Sequence, residues 1–334
     1  MRVATYNVEW FANLFDKKDQ LIADDGWSGR HGVTRVQQTE ALAKVFTAID
    51  ADIVMIVEAP NTGKRQSTVR ALDHFARTFG LRTSKALMGF ANDTQQEIAV
   101  LYDPDRLTVR HDPQGDETGK KGSAEAPRFD GTFRIDLDVD ANEDLVRFSK
   151  PPLELEVQTA AGFQFRMIGV HLKSKAPHGA RTRDEVIRRS IANRRKQLAQ
   201  AIWLHQRVKV HQARGEEVIL LGDLNDGPGL DEFENLFGRS SVEILLDAGL
   251  YDPHPYATDR GQKQITARFE NAESGSSLEA LLDYILVTSV IQNRHPEWKI
   301  WHPDRCPDCR GSPELQQALR LASDHYPVSL DVDL

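Results

Sequence analysis

Apolar residues gather in short runs along this chain, and the spacing inside each run separates strands from helices. Nearly continuous Val, Ile and Leu at Val3–Tyr6, Asp52–Val57, Ile98–Tyr102, Leu153–Val157, Phe165–Val170, Val218–Leu221, Tyr284–Val287 and Val328–Val332 predict strands. Their lack of alternation marks burial on both faces. Two segments change period. Thr34–Ile49 sets Val36, Ala43, Phe46 and Ile49 at helical spacing, and the longer Asp184–Val210 sets Ile187, Ile191, Leu198 and Ile202 along one stripe.

Two regions break the pattern. Arg110–Val146 is polar, acidic and glycine-containing, which predicts an irregular excursion carrying a hairpin. Gly227–Asn271 is similar, with a short helix expected around Ser241–Leu246. Strand patterns resume directly after each, so neither reads as a linker, and no internal repeat appears. A mixed α/β chain of this order predicts packed sheets with helices outside, in one domain spanning residues 1–334.

Composition adds bounds. Of 334 residues, 40% are hydrophobic and 28% charged, the profile of a globular protein with a large core. The N-terminal MRVATYNVEWF has no apolar secretory segment, and no run approaches the roughly 18 apolar residues of a membrane span. A cytoplasmic protein without a membrane anchor is expected, and nothing points to a protein partner. The net charge of -8 argues against a coat for polyanions, yet acids gathered around a metal would raise that same count. Cys306 and Cys309 form a single CxxC. Even with His295 and His302 nearby, a reduced-thiol loop is the simpler reading than a zinc site.

Polar residues that could do chemistry cluster at the ends of the predicted strands. Asn7 and Glu9 follow Val3–Tyr6, Glu58 follows Asp52–Val57, His171 follows Phe165–Val170, and Asp223 with Asn225 follow Val218–Leu221. Asp283 precedes Tyr284–Val287, and Asp324-His325 precede Val328–Val332. Strand ends hold side chains rigidly and leave them open to solvent, which is where α/β sites form. Strand alternation predicts that Asp223 and Asn225 face one point and Leu224 the other side. Alone, each has an ordinary explanation: Glu58 a solvated loop acid, Asp223 a turn cap, His171 a satisfied core histidine. The sequence lacks a phosphate-cradling GxxxxGK[ST], a GxSxG elbow and an HExxH helix. Candidate ligands are Glu, Asp and Asn, hard oxygens that select Mg2+ or Mn2+.

Six segments in order resemble the endonuclease/exonuclease/phosphatase superfamily of DNase I-like nucleases, abasic-site endonucleases, sphingomyelinases and inositol polyphosphate phosphatases. They are Thr5-Tyr6-Asn7-Val8-Glu9-Trp10, Ile56-Val57-Glu58, Gly169-Val170-His171-Leu172, Gly222-Asp223-Leu224-Asn225, Leu282-Asp283-Tyr284-Ile285 and Ser323-Asp324-His325-Tyr326-Pro327-Val328. The resemblance implies a four-layer α/β/β/α sandwich of two packed mixed sheets flanked by helices, with the site at one end. It implies Glu58 as principal metal ligand, with Asn7, Glu9 and Asp324 around the same Mg2+ or Mn2+. It implies Asp223 orienting or deprotonating the attacking water, Asn225 holding the phosphate, and Asp283 fixing the His325 tautomer. His171 matches a histidine that only part of the family uses at the phosphate or leaving group.

Two positions depart from many relatives: Lys150-Pro151-Pro152 stands where they carry Arg-Pro-Pro, and Glu97 matches an acid found in only some. Basic residues crowd Arg181–Lys196, and Lys173 and Lys175 follow His171. Arg194 falls on the Ile187 stripe and is expected to point inward, as a phosphate clamp or ion pair. With Lys173 and Lys175 it favours a nucleic-acid phosphodiester over a small monoester. A phospholipid or inositol phosphate substrate comes second. A catalytically silent scaffold comes third, since it is expected to lose Glu58, Asp223 or His325.

Overall fold

A computed structural model describes residues 1–92, 94–137, 143–227, 238–256, 263–270 and 277–334. One mixed sheet runs, edge to edge, β15 (Glu297–Ile300), β16 (Val328–Asp331), β1 (Arg2–Asn7), β2 (Ile53–Ala59), β4 (Glu97–Tyr102) and β3 (Lys85–Met88). The other runs β11 (Leu250–Tyr251), β14 (Asp283–Thr288), β10 (Val218–Asp223), β9 (Gln164–His171), β8 (Leu153–Thr159) and β5 (Leu107–His111). Two hairpins stand apart, β6 (Phe133–Ile135) with β7 (Asp144–Val146), and β12 (Ala267–Glu270) with β13 (Ser277–Ala280).

Period-two alternation explains why the strands read as continuous apolar runs. In β10, Ile219 and Leu221 pack into the layer between the sheets, while Val218 and Leu220 pack outward under helices. In β2, Ile53 and Met55 point inward and Val54 and Ile56 outward. Each strand therefore feeds two apolar layers. Helices α1 (Arg35–Ile49), α2 (Thr68–Thr78) and α7 (Pro313–Ala322) share the outer layer of the first sheet, with Cys306 and Cys309 buried there beside α6 (Pro307–Arg310). Helices α3 (Arg183–Ala213) and α4 (Ser241–Asp247) cover the second sheet, and the four-residue α5 (Ser289–Gln292) follows β14. The expected sandwich is the one observed. No helix among the described residues is long and apolar enough to cross a membrane.

Local chemistry sets the helix starts. Thr34 and Gln37 form a reciprocal capping box at α1, and the Thr182 side chain accepts from the Glu185 amide at α3. The face of α3 differs from the expected stripe. Ile187 is 37% exposed, whereas Gln197, Gln200, Leu204 and Val208 are buried. The polar members face inward because they satisfy loop backbone: Gln197 Nε2 donates to the carbonyls of Leu224 and Asn225, and Gln200 Oε1 accepts from the Lys173 amide.

The expected hairpin of the first excursion is β6–β7, and α3 fastens that region through Trp203 Nε1 to the Pro127 carbonyl at 2.8 Å and Arg207 Nη2 to the Ala126 carbonyl at 2.7 Å. The short helix of the second excursion is α4. Residues 138–142, 228–237, 257–262 and 271 of the two excursions lie outside the described residues.

Strand direction gathers the site. β1 is parallel to β2 and β9 to β10, while β16 runs antiparallel to β1 and β14 to β10. Downstream ends of the first four and upstream ends of the last two thus meet at one end of the sandwich. Gly222, one residue before Asp223, has φ of 134°, and a Cβ there would stand 2.1 Å from the Val170 carbonyl oxygen. Gly222→Ala combines backbone strain with a backbone clash and is expected to lower stability by at least about 2 kcal/mol. A urea midpoint equal to wild type, at unchanged slope, refutes that requirement.

Candidate active site

Asp223 is the hub. It is buried, its Oδ1 accepts from the Asn225 amide at 2.7 Å, and its Oδ2 accepts from Asn7 Nδ2 and Asn225 Nδ2, both at 3.0 Å. The Asn7 contact joins the two sheets. Asn225 does not reach Asp223 by strand alternation as expected. β10 ends at Asp223, and Asn225 turns back in the left-handed region at φ 49°, where its amide also donates to the Leu172 carbonyl. Asparagine tolerates that backbone, and the turn is closed by Asp223 itself.

On the neighbouring strand, Asp283 sits directly opposite Asp223 and bonds His325 Nδ1 through Oδ2 at 2.8 Å. Burial opposes a charged imidazole, but Asp283 next to it, with Asp223 and Asp324 nearby, holds His325 protonated well above its ordinary value. Burial first, then the field of Asp283, pushes the Asp223 carboxyl up to about 7. Ser323, to which the motif assigned no role, ties this end together: its hydroxyl donates to the Asn7 carbonyl at 2.8 Å and accepts from the His325 and Glu9 amides at 3.2 Å.

Glu58 occupies a bulge in β2, where pairing shifts from Val57–Ile98 to Ala59–Glu97 and φ is 60°. Left-handed backbone at a glutamate costs on the order of 1–3 kcal/mol, and bulges of this kind re-aim a side chain at a site. Burial raises the Glu58 carboxyl above its usual range, an effect Lys150 offsets in part. Gln96, which carries no sequence signal beyond its place before β4, donates from Nε2 to Glu58 Oε2 at 2.5 Å and accepts from Lys150 Nζ at 2.9 Å. Lys150 Nζ also lies 3.3 Å from His171 Nδ1. An ammonium can only donate, so Nδ1 accepts and the ring proton resides on Nε2, which faces Asp223 Oδ2 at 3.6 Å. Burial, then Lys150, lowers the His171 pKa well below its ordinary value, so the ring stays neutral. Glu97 accepts instead from Asn92 and Thr62, away from the hub.

Other expected residues sit differently. Glu9 lines the cavity, but its carboxylate pairs with Arg30 and accepts from Trp10 Nε1. Lys175 pairs with buried Asp226. Arg194 donates to the carbonyls of Lys175 and Ser190, bracing the loop after His171.

These groups line a cavity of about 550 Å³. Asn7, Glu58, His171, Asp223, Asp324 and His325 form its polar side, and Trp10, Phe269 and Leu278 its apolar side. The Phe269 ring meets His325 edge-on at 5.7 Å between centroids, and β12 is tied there by Arg268 N donating to the Asp324 carbonyl. Among the described residues, no three His, Cys, Asp or Glu side chains draw together into a ready metal cluster. A small hard cation fits by another route. Among the described residues Asn7 Oδ1 is buried with no hydrogen-bond partner, and it shares the cavity with Glu58 and Asp324, acids whose mutual repulsion a cation would relieve. One or two carboxylates plus waters is the ligand set magnesium ordinarily takes.

Packed mixed sheets carrying such a site at one end define a DNase I-like protein. The sequence profile of the Endonuclease/Exonuclease/phosphatase family matches residues 4–325, and the chain belongs to that family. No curated protein matches the chain in sequence. Solved structures of the same fold include an AP endonuclease from Archaeoglobus fulgidus, at 11% identity and TM-score 0.53, and a 3'-5' exonuclease (NExo) from Neisseria meningitidis, at 13% and 0.51. Both comparisons cover 100% of each chain. An endonuclease/exonuclease/phosphatase family protein from Bacteroides thetaiotaomicron is similar at 15% identity and TM-score 0.50, covering 100% of this chain and 98% of that one.

Proposed function

We propose that this chain is a divalent-metal-dependent nuclease that hydrolyses a phosphodiester of DNA or RNA by direct attack of water. The observation that carries the reading is the convergence of a buried carboxylate, a protonated Asp–His pair and a neutral histidine donor on one cavity. His325, held protonated by Asp283, donates to a non-bridging phosphate oxygen. His171 donates through Nε2, since Lys150 occupies Nδ1. With both imidazoles acting as donors, Asp223 is the group left to take the water's proton. A carboxylate has about four acceptor sites, and Asp223 uses three here. As water adds to phosphorus, its proton passes to Asp223 and the bond to the leaving oxygen breaks.

Glu58, Asn7 and Asp324 would hold Mg2+ or Mn2+, with Glu9 engaged by Arg30 behind them. Such an ion supplies charge neutralisation on the phosphate and leaving oxygen. Trp10 and Phe269 favour a nucleotide over an inositol, because bases stack on aromatic faces whereas polyols demand hydrogen bonds. The whole chain is taken as one domain, since Val3, Val100, Leu155, Ile219 and Leu330 share the layer between the sheets. A cytoplasmic location belongs to the same reading.

Incubation with plasmid DNA, single-stranded DNA, RNA and bis(p-nitrophenyl) phosphate tests it. Mg2+- or Mn2+-dependent cleavage of a polymer, abolished by chelation, is the expected result. Hydrolysis of the small diester alone removes nucleic acid as substrate and keeps the phosphoesterase. Silence on all four turns attention to lipid or inositol phosphates.

A further inference from the structure

Beside the catalytic cavity lies a second one of about 280 Å³, and Glu58, His171 and Ser174 line both. Its other walls include Ser149, Lys150 and Lys173. Lys196, on α3, reaches the same wall from outside, with Nζ 3.0 Å from Ser149 Oγ. Two lysines thus line one small cavity, and a third reaches its Ser149 wall. Among the described residues, no ion pair joins Lys150, Lys173 or Lys196 to a carboxylate, although Arg195 beside them pairs with Asp144 at 2.8 Å.

The geometry points to this lysine pocket as a second phosphate subsite, which takes the phosphate next to the scissile one on the His171 side. Glu58 in the shared wall offsets part of the Lys150 charge, while Lys173 and Lys196 repel each other, and a polyanionic ligand removes that repulsion. Burial, then the field of Lys173, depresses the Lys196 ammonium, and burial lowers Lys150 against the opposing fields of Glu58, Asp223 and Glu97. The pocket is also built. The Lys173 amide is held by Gln200 at 2.9 Å, and Lys150 is anchored by Gln96. Lys150 is held by Gln96 in the shared wall, so the donors left for a second phosphate are Lys173 and Lys196. A single-phosphate substrate leaves them unused.

The subsite deepens the nuclease reading, because a polynucleotide strand presents a further phosphate at each nucleotide. Its existence is testable without turnover. Thymidine 3′-monophosphate, thymidine 5′-monophosphate and thymidine 3′,5′-bisphosphate are titrated calorimetrically into the full chain with Mg2+ present. The bisphosphate is expected to bind at least about tenfold more tightly than either monophosphate. In Lys173→Met and Lys196→Met that gap shrinks to about threefold or less, and in Lys209→Met, a charge control elsewhere on α3, it persists. Equal affinities for the three nucleotides in wild type overturn the subsite, as does a gap that survives both pocket substitutions. Polymer cleavage is measured separately. A preserved gap without cleavage supports the subsite and removes the nuclease reading, whereas cleavage without a gap does the reverse.

Discussion

Asp223→Asn is expected to lower kcat by about 10²–10⁴, the usual worth of general acid–base help, while the chain stays folded. The side chain keeps its volume, so the layers around Leu221 and Leu224 do not change shape. What changes is the hydrogen-bond polarity of the hub. An amide has one oxygen acceptor, yet Asn7 Nδ2, Asn225 Nδ2 and the Asn225 amide all donate to the native carboxylate. At least one donor then faces another donor in a buried place, which costs roughly 1–3 kcal/mol of stability. The rate loss is separate from that cost, because the amide cannot accept the water's proton. Steady-state rates on bis(p-nitrophenyl) phosphate, beside a urea melt, distinguish the two. A kcat within tenfold of wild type removes Asp223 as the base.

Glu58→Gln is expected to weaken Mg2+ binding and to reduce turnover by about 10²–10⁴-fold, equivalent to several kcal/mol of transition-state charge stabilisation. The substitution is nearly isosteric and keeps an oxygen toward Gln96 Nε2, so the bulge at φ 60° has no new steric reason to collapse. It removes the charge from the centre of the proposed ligand set. Calorimetric Mg2+ titration reads affinity directly, and rates at saturating Mg2+ read what remains. Unchanged affinity moves the ion to Asp324 and Asn7. Lost turnover at unchanged affinity makes Glu58 a substrate-orienting acid instead.

The strands, the long helix and the two-faced burial were legible in the chain, because unbroken apolar runs in β10 and β2 and helical period in α1 and α3 are local properties. The ordered strand-end motifs also marked Asn7, Glu58, His171, Asp223, Asn225, Asp283, Asp324 and His325, all at one end of the sandwich. Where local pattern failed, a long-range partner had decided. Ile187 suggested the wrong face for α3, since Gln197 and Gln200 spend their polarity on the loops after Asp223 and His171. Asn225 left the strand because Asp223 caps its turn. Short β3, at Lys85–Met88, gave too little pattern to stand out and owes its place to pairing with β4.

Sequence by itself therefore determined the layers and the chemical types at the strand ends, because both depend on residue order within a few positions. Tertiary structure alone decided the polarity of each group. Arg30 takes Glu9, Asp283 charges His325, and burial, with Lys150 from 21 residues away, keeps His171 neutral. Those outcomes depend on burial and on charges brought within hydrogen-bond distance by folding, which no spacing along the chain encodes.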